Sequence, residues 1–150
     1  MSKDITKHEY QQLVDKAAPP SKSIKNSIAA FITGGVICAI GQIFLNILLS
    51  LDVDDETAKT LTTVIMIFFG ALLTGLNVYD NISKFGGSGA SIPVTGFSNS
   101  IVSPAMEYKK EGYVMGVGSK MFLIAGPVLV YGIVASVVAG LVYYLWNQVM

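Results

Sequence analysis

Three long runs of the chain carry no charged residue, and they constrain the fold more than any other feature. They cover residues 26–51, 60–79 and 121–150. A helix needs ~20 consecutive, mostly apolar residues to cross a bilayer, and each run is at least that long. The first run follows a polar leader and precedes a second run, which is not the layout of a cleaved signal peptide. We therefore predict an all-α integral membrane protein with three transmembrane helices, over about 26–51, 60–79 and 120–146.

The composition agrees with a membrane protein. Hydrophobic residues make up 52% of the chain and charged residues 13%, whereas soluble domains average roughly 25% charged residues. Ten lysines balance ten acidic residues and arginine is absent. Because base reading relies on bidentate arginine contacts, no nucleic-acid partner is expected. Cys38 is the only cysteine, so neither a disulfide within one chain nor a thiolate metal cluster is possible. We predict no metal site and no cofactor.

The lysines predict an orientation. If the N-terminus is cytoplasmic, nine of the ten lysines lie on the cytoplasmic side and only Lys59 lies outside. This is the distribution that the positive-inside rule requires. The C-terminus is then outside, where Tyr143, Tyr144 and Trp146 would form an interfacial aromatic belt.

The polar leader, residues 1–25, is treated as a unit separate from the membrane domain, residues 26–150. Its apolar residues recur at helical spacing before two consecutive prolines: Tyr10, Leu13, Val14 and Ala17. A short amphipathic helix lying on the membrane surface is the predicted structure.

Small and polar residues follow one face of each apolar run. The first run has Gly34, Cys38, Gln42 and Asn46, and the second has Gly70, Thr74 and Asn77. Amides are costly against lipid without partners, so these faces should meet each other, another subunit or a water-filled path. Both interhelical packing and the lining of a path remain open. In the third run, Ala135 with Ala139 and Ser136 with Gly140 would allow close helix approach.

Residues 86–106 are free of charge yet rich in helix breakers, reading GGSGASIPVTGFSNSIVSPAM. Irregular backbone at membrane depth is tolerated only where protein buries it or water bathes it. Because both flanking regions are predicted to be cytoplasmic, the segment either enters the membrane and returns or lies at the interface as an amphipathic helix. Pro93 is placed to begin a short helix, and the glycines before it provide a turn.

The stretch LLTGLNVYDNISKFGGSGASIPVTGFSNS, followed by EYKKEG, closely resembles the stage V sporulation protein A family of spore-forming bacteria. The length and the three-span layout are similar to those of its AC-type subunits. The resemblance implies a spore inner-membrane complex that moves dipicolinic acid, as its Ca²⁺ chelate, into the forespore and out at germination. It also implies a channel-forming role that responds to membrane tension. The implied partners are the other subunits, above all an AE-type subunit, together with membrane lipid.

Site residues follow from the chemistry of that implied solute. A planar dianion is served better by neutral donors than by a ring of charges that would hold it tightly. The predicted path residues are Thr95, Ser98, Asn99, Ser100, Gln42, Asn46 and Asn77. The predicted charges at the mouth of the path are Asp80, Lys84, Glu107, Lys109 and Lys120. For each lysine, simple anchoring under the positive-inside rule is an alternative.

An enzyme is not predicted. The only histidine, His8, is in the leader, so no nucleophile has a histidine base at membrane depth. Ser119 and Lys120 are adjacent in sequence, which would direct their side chains apart on a helix. A non-conducting scaffold subunit, whose polar faces only hold partners together, is the alternative to a channel.

Overall fold

The computed structural model describes residues 22–149 and, before them, Tyr10, Leu13 and Val14. These three residues are helical and exposed. The remainder of the predicted leader helix lies outside the described residues.

Two long helices open the described chain. Helix α1 runs Ser23–Ser50 and helix α2 runs Asp55–Gly75. The Asp54 carboxylate caps α2 by accepting a hydrogen bond from the Thr57 amide at 3.2 Å, and Asp55 and Glu56 occupy its first turn. Acidic groups are favourable there because they offset the unpaired amides and the positive end of the helix dipole. Helix α2 therefore begins before the charge-free run does.

Three short helices follow, the first just before the charge-free segment and the other two largely within it. They are α3, Tyr79–Gly86; α4, Ser88–Ser91; and α5, Val94–Glu107. Two left-handed residues make the turns, with Asn77 (φ 58°) between α2 and α3 and Gly87 (φ 50°) between α3 and α4. Pro93 immediately precedes α5, which confirms the predicted helix start at that proline.

The chain then reaches its third long helix through two short helical segments that are not α-helical. A 3₁₀ helix, Tyr108–Glu111, and a π-helical turn, Tyr113–Gly118, are separated by Gly112 at φ 94°. Helix α6 runs Phe122–Val149 and continues through Pro127.

The prediction of an all-α chain with three membrane-spanning helices is confirmed. Within the described residues, three helices are long and apolar enough to cross a membrane. Helix α2 ends at Gly75 rather than at 79, because the left-handed Asn77 breaks it. Residues 86–106 are mostly helical, and whether they enter the membrane stays a prediction.

The short helices pack on the two long ones. Helix α5 lies chiefly against α2, and α4 lies against α1. Both contacts depend on glycine. A Cβ atom on Gly70 would lie 2.8 Å from the Thr95 carbonyl oxygen, and one on Gly89 would lie 1.9 Å from the Ala30 carbonyl oxygen. Helix α6 makes its main interhelical contact with α5 and is otherwise almost entirely exposed.

Candidate functional site

A buried polar seam joins α2, α3 and α5, and we define it as Thr74, Tyr79, Thr95, Ser98 and Asn99. Tyr79 is 2% exposed, and its hydroxyl donates to the Ala90 carbonyl oxygen at 2.8 Å. The same hydroxyl lies 2.8 Å from the Thr95 hydroxyl oxygen, with which it shares a hydrogen bond. Tyr79 therefore ties α3 to both α4 and α5.

The other side of the seam ties α5 to α2. The Ser98 hydroxyl donates to the Ile67 carbonyl oxygen at 2.9 Å. The Thr74 hydroxyl lies 2.7 Å from the Gly70 carbonyl oxygen and 2.9 Å from the Asn99 amide oxygen. A threonine can return its proton to the carbonyl four residues earlier in its own helix, so Thr74 shares one proton between a local acceptor and a neighbouring helix.

Close approach of backbones buries the seam except at Asn99, which is half-buried. Thr74, Thr95 and Ser98 are all buried. Gly96 allows the turn before α5 to fold back, because a Cβ atom there would lie 2.3 Å from the Ala90 carbonyl oxygen. Within the described residues, no buried side-chain nitrogen or oxygen lacks a hydrogen-bond partner. Each hydroxyl of the seam and the Asn99 amide oxygen are thus already hydrogen-bonded within the chain.

The structure brings together three of the predicted path residues, Thr95, Ser98 and Asn99. Ser100 is half-buried beside them and donates to the Phe97 carbonyl oxygen of its own helix at 2.7 Å. The two amides predicted on α1 lie outside the seam. Gln42 donates to Asn46 at 2.9 Å, and both residues are exposed. The two amides on this face of α1 are therefore hydrogen-bonded to each other.

Asn77 departs from the polar face predicted for the second span. It follows the end of α2, is exposed and has a left-handed backbone, a conformation that asparagine tolerates better than most residues. Asn77 is explained by the turn that it forms between α2 and α3. Gly70 and Thr74, the other two members of that face, are buried.

The predicted mouth charges lie outside the long apolar helices. Asp80 is in the first turn of α3 and Lys84 in its last turn, and both positions suit the helix dipole. Glu107 ends α5, and Lys109 is in the 3₁₀ helix. The Lys120 ammonium lies 4.9 Å from the centroid of the Tyr108 ring, within cation–π range. None of these five charges forms an ion pair with another described residue.

Tyr79 organises the seam, yet sequence reasoning missed it. A tyrosine at the end of an apolar run is typical of a membrane interface, and its polar neighbours Asn77 and Asp80 strengthen that reading. The signal that could have indicated burial is the pairing of a phenol with a threonine in a segment free of charge. In the part of the chain that the structure describes, no group of three His, Cys, Asp or Glu side chains could hold a metal ion.

Comparisons with known proteins identify the family. The model of the SpoVAC/SpoVAEB sporulation membrane protein family matches residues 26–142. Stage V sporulation protein AC of Bacillus subtilis (strain 168) is 41% identical to the chain over 145 residues, which cover 96% of this chain and 97% of that protein. No solved structure matches. The resemblance inferred from the sequence is confirmed, and the chain belongs to the SpoVAC/SpoVAEB family of sporulation membrane proteins.

Proposed function

We propose that the chain is a channel or transport subunit of a spore inner-membrane complex that moves dipicolinic acid, as its Ca²⁺ chelate. Transport is into the forespore during sporulation and outward at germination. Other subunits of the stage V sporulation protein A complex, especially an AE-type subunit, complete the assembly. The N-terminus is cytoplasmic and the C-terminus is outside. Family membership supports the sporulation context, and the resemblance described above supplies the solute.

The observation that carries this proposal is where the charge-free segment packs. Gly89 lies against Ala30, and Ser98 bonds to Ile67. At ~1.5 Å of rise per residue, Ala30 lies roughly 10 Å from the start of α1 at Ser23. Ile67 lies a similar distance from the end of α2 at Gly75. The short helices and the breaks between them are packed against protein there, which is the condition for interrupted helices at membrane depth. This favours the re-entrant arrangement over a loop lying free of the membrane.

In the proposed mechanism, the seam as it stands in this structure is the closed state of the transport path. Its hydroxyls and the Asn99 amide are held by intrachain hydrogen bonds. Opening exchanges these bonds for bonds to the passing anion, so the donors are neutral and the solute leaves as readily as it enters. Ser100 lies at the edge of the seam, and Lys84, Lys109 and Lys120 attract the anion to the mouth.

A non-conducting scaffold is the second candidate function, and one observation favours it. Every hydroxyl of the seam is hydrogen-bonded within this chain. Such a seam would hold α5 against α2 in a fixed position, whether or not a solute passes. The exposed small residues of α6 would then serve only to bind partner subunits.

Replacing Asn99 with leucine tests the two candidates. The change removes the amide while keeping the number and the branching of the side-chain heavy atoms. If the seam lines the path, spores with Asn99→Leu should release dipicolinic acid more slowly while the complex still co-purifies with its other subunits. Loss of co-purification would indicate the scaffold. Asn81→Leu, at an exposed position of α3, is the control, and unchanged release in Asn99→Leu spores would contradict the path assignment.

Cysteine labelling tests membrane entry. In a Cys38→Ala background, single cysteines along residues 86–106 would be exposed to a membrane-impermeant thiol reagent in inside-out vesicles of the assembled complex. Periodic labelling that dipicolinic acid protects against would support an aqueous path. Uniform labelling without protection would show an ordinary cytoplasmic loop.

A further inference from the structure

An apolar groove runs along the outside of the molecule between α1, α2 and α3. Its volume is about 480 Å³, within the roughly 300–1,000 Å³ of ligand pockets in proteins. Hydrocarbon side chains form nearly all of its lining, including Val36, Ile40, Phe44, Phe69 and Leu73. A groove with this lining offers an apolar ligand many contacts and offers a charged solute none.

A polar cleft of about 690 Å³ lies next to the groove, at the start of α1. Lys84, Asn26, Ser27 and Ser88 line it, and Phe85 lines both the cleft and the groove. The two cavities therefore share Phe85 as a lining residue, and the groove is apolar whereas the cleft has hydrogen-bond donors beside a lysine.

The charges around the cleft favour an anion. Lys22 precedes α1, Lys25 lies in its first turn, and that turn contains no acidic residue. The acidic side chain of α3 is Asp80, in the first turn of the helix, whereas Lys84 is in the last. The cleft thus combines the Lys84 ammonium group with neutral hydroxyl and amide donors, and Lys22 and Lys25 are close to its α1 residues along the chain.

We propose that the groove and the cleft together bind one glycerophospholipid with an anionic headgroup. An acyl chain lies in the groove, and the headgroup phosphate accepts hydrogen bonds from Lys84 and the polar side chains of the cleft. A soluble dianion would bind in the cleft but would leave the apolar groove unoccupied. A helix from a second copy would fill the groove but gains nothing from a basic cleft. The site adjoins the proposed transport path, because Lys84 is one of the mouth charges and Thr95 lines the groove, but the proposal does not depend on transport.

The headgroup half of the proposal is tested with the purified full-length protein. Native mass spectrometry would follow the binding of phosphatidylglycerol and of phosphatidylcholine added at known concentrations. Because one lysine near a membrane surface contributes a factor of about five in anionic-lipid binding, Lys84→Gln should reduce phosphatidylglycerol affinity about fivefold. It should leave phosphatidylcholine unchanged. Lys110→Gln, an exposed lysine outside the cleft, is the matched control and should alter neither. Equal affinity of the unmodified protein for both lipids would overturn the proposal.

The acyl half is tested by filling the groove. Val36→Trp places an indole in it and should reduce the binding of both lipids at least fivefold. Val138→Trp on α6 is the control, since Val36 and Val138 are 54% and 55% exposed. Undiminished lipid binding in Val36→Trp would contradict the groove assignment. Displacement of the lipid by dipicolinic acid or inorganic phosphate would show that the cleft binds a soluble anion. Loss of a dimer in Val36→Trp with lipid binding intact would show that a second copy of the chain occupies the groove. Either result would overturn the proposal.

Discussion

The same residue types have opposite surroundings in the two halves of the molecule. In residues 22–107, glycines let backbones touch, as Gly70 does at Thr95 and Gly89 at Ala30. In α6, Gly132 and Gly140 would meet nothing within 4 Å if a Cβ atom were added. Lipid is as apolar as leucine, so helices in a membrane associate through close packing and interhelical hydrogen bonds rather than through the hydrophobic effect. The first half uses both within one chain, whereas α6 still presents its small residues outward.

The largest effect is expected where glycine separates two backbones. In Gly89→Ala the new methyl group would lie 1.9 Å from the Ala30 carbonyl oxygen, so α1 and α4 must move apart. The free energy of unfolding in detergent, followed by circular dichroism, should fall by about 3 kcal/mol, the upper end of the range for overpacking.

Gly35→Ala on α1 is the matched control, because nothing lies within 4 Å of its added methyl group. Alanine has a higher helix propensity than glycine, so this variant should be unchanged or slightly more stable. Equal stability of the two variants would mean that α4 does not pack on α1 in this way.

Helix existence could be predicted from the sequence because it depends on local patterns. The charge-free runs indicated three spans, and Pro93 marked the start of α5. The partners of polar residues could not be predicted, because they depend on which helices meet. Gln42 and Asn46 pair with each other, whereas Thr95 pairs with the unforeseen Tyr79. Both sets had the same signal, a polar residue in an apolar context, and only tertiary structure distinguishes them.

Removing the phenol of the seam should have the second-largest effect. Tyr79→Phe deletes the donor to the Ala90 carbonyl and the partner of the Thr95 hydroxyl, and leaves both buried groups without that bond. An unsatisfied buried polar group costs roughly 1–3 kcal/mol. The free energy of unfolding in detergent should fall by about 2 kcal/mol. Tyr131→Phe on α6, where the tyrosine is 76% exposed, should change it by less than ~0.5 kcal/mol.

A smaller effect is expected for the bond between α2 and α5. A double-mutant cycle with Thr74→Val and Asn99→Ala isolates the 2.9 Å contact from the other effects of each change. Interhelical hydrogen bonds in membranes average ~0.6 kcal/mol, and Thr74 also bonds to its own helix, so a coupling energy of about 0.5 kcal/mol is expected. A cycle between Thr74 and Gln42 should give no coupling, because Gln42 is bonded elsewhere.

The smallest effect on the isolated chain is expected on α6, and this variant separates intrachain packing from assembly. Ala139 is exposed, so Ala139→Leu should change the free energy of unfolding of the isolated chain by less than ~0.5 kcal/mol. If α6 binds a partner through its small residues, the added bulk should nevertheless reduce recovery of other subunits in co-purification, because close helix approach requires small side chains. Val138→Leu, at an exposed neighbouring position that is not part of the small-residue pattern, is the control. Full recovery of the other subunits with Ala139→Leu would mean that this face of α6 contacts lipid rather than a partner protein. A large loss of stability in the isolated chain would mean instead that α6 packs within the chain more extensively than its exposure indicates, and would remove the contrast between the two halves.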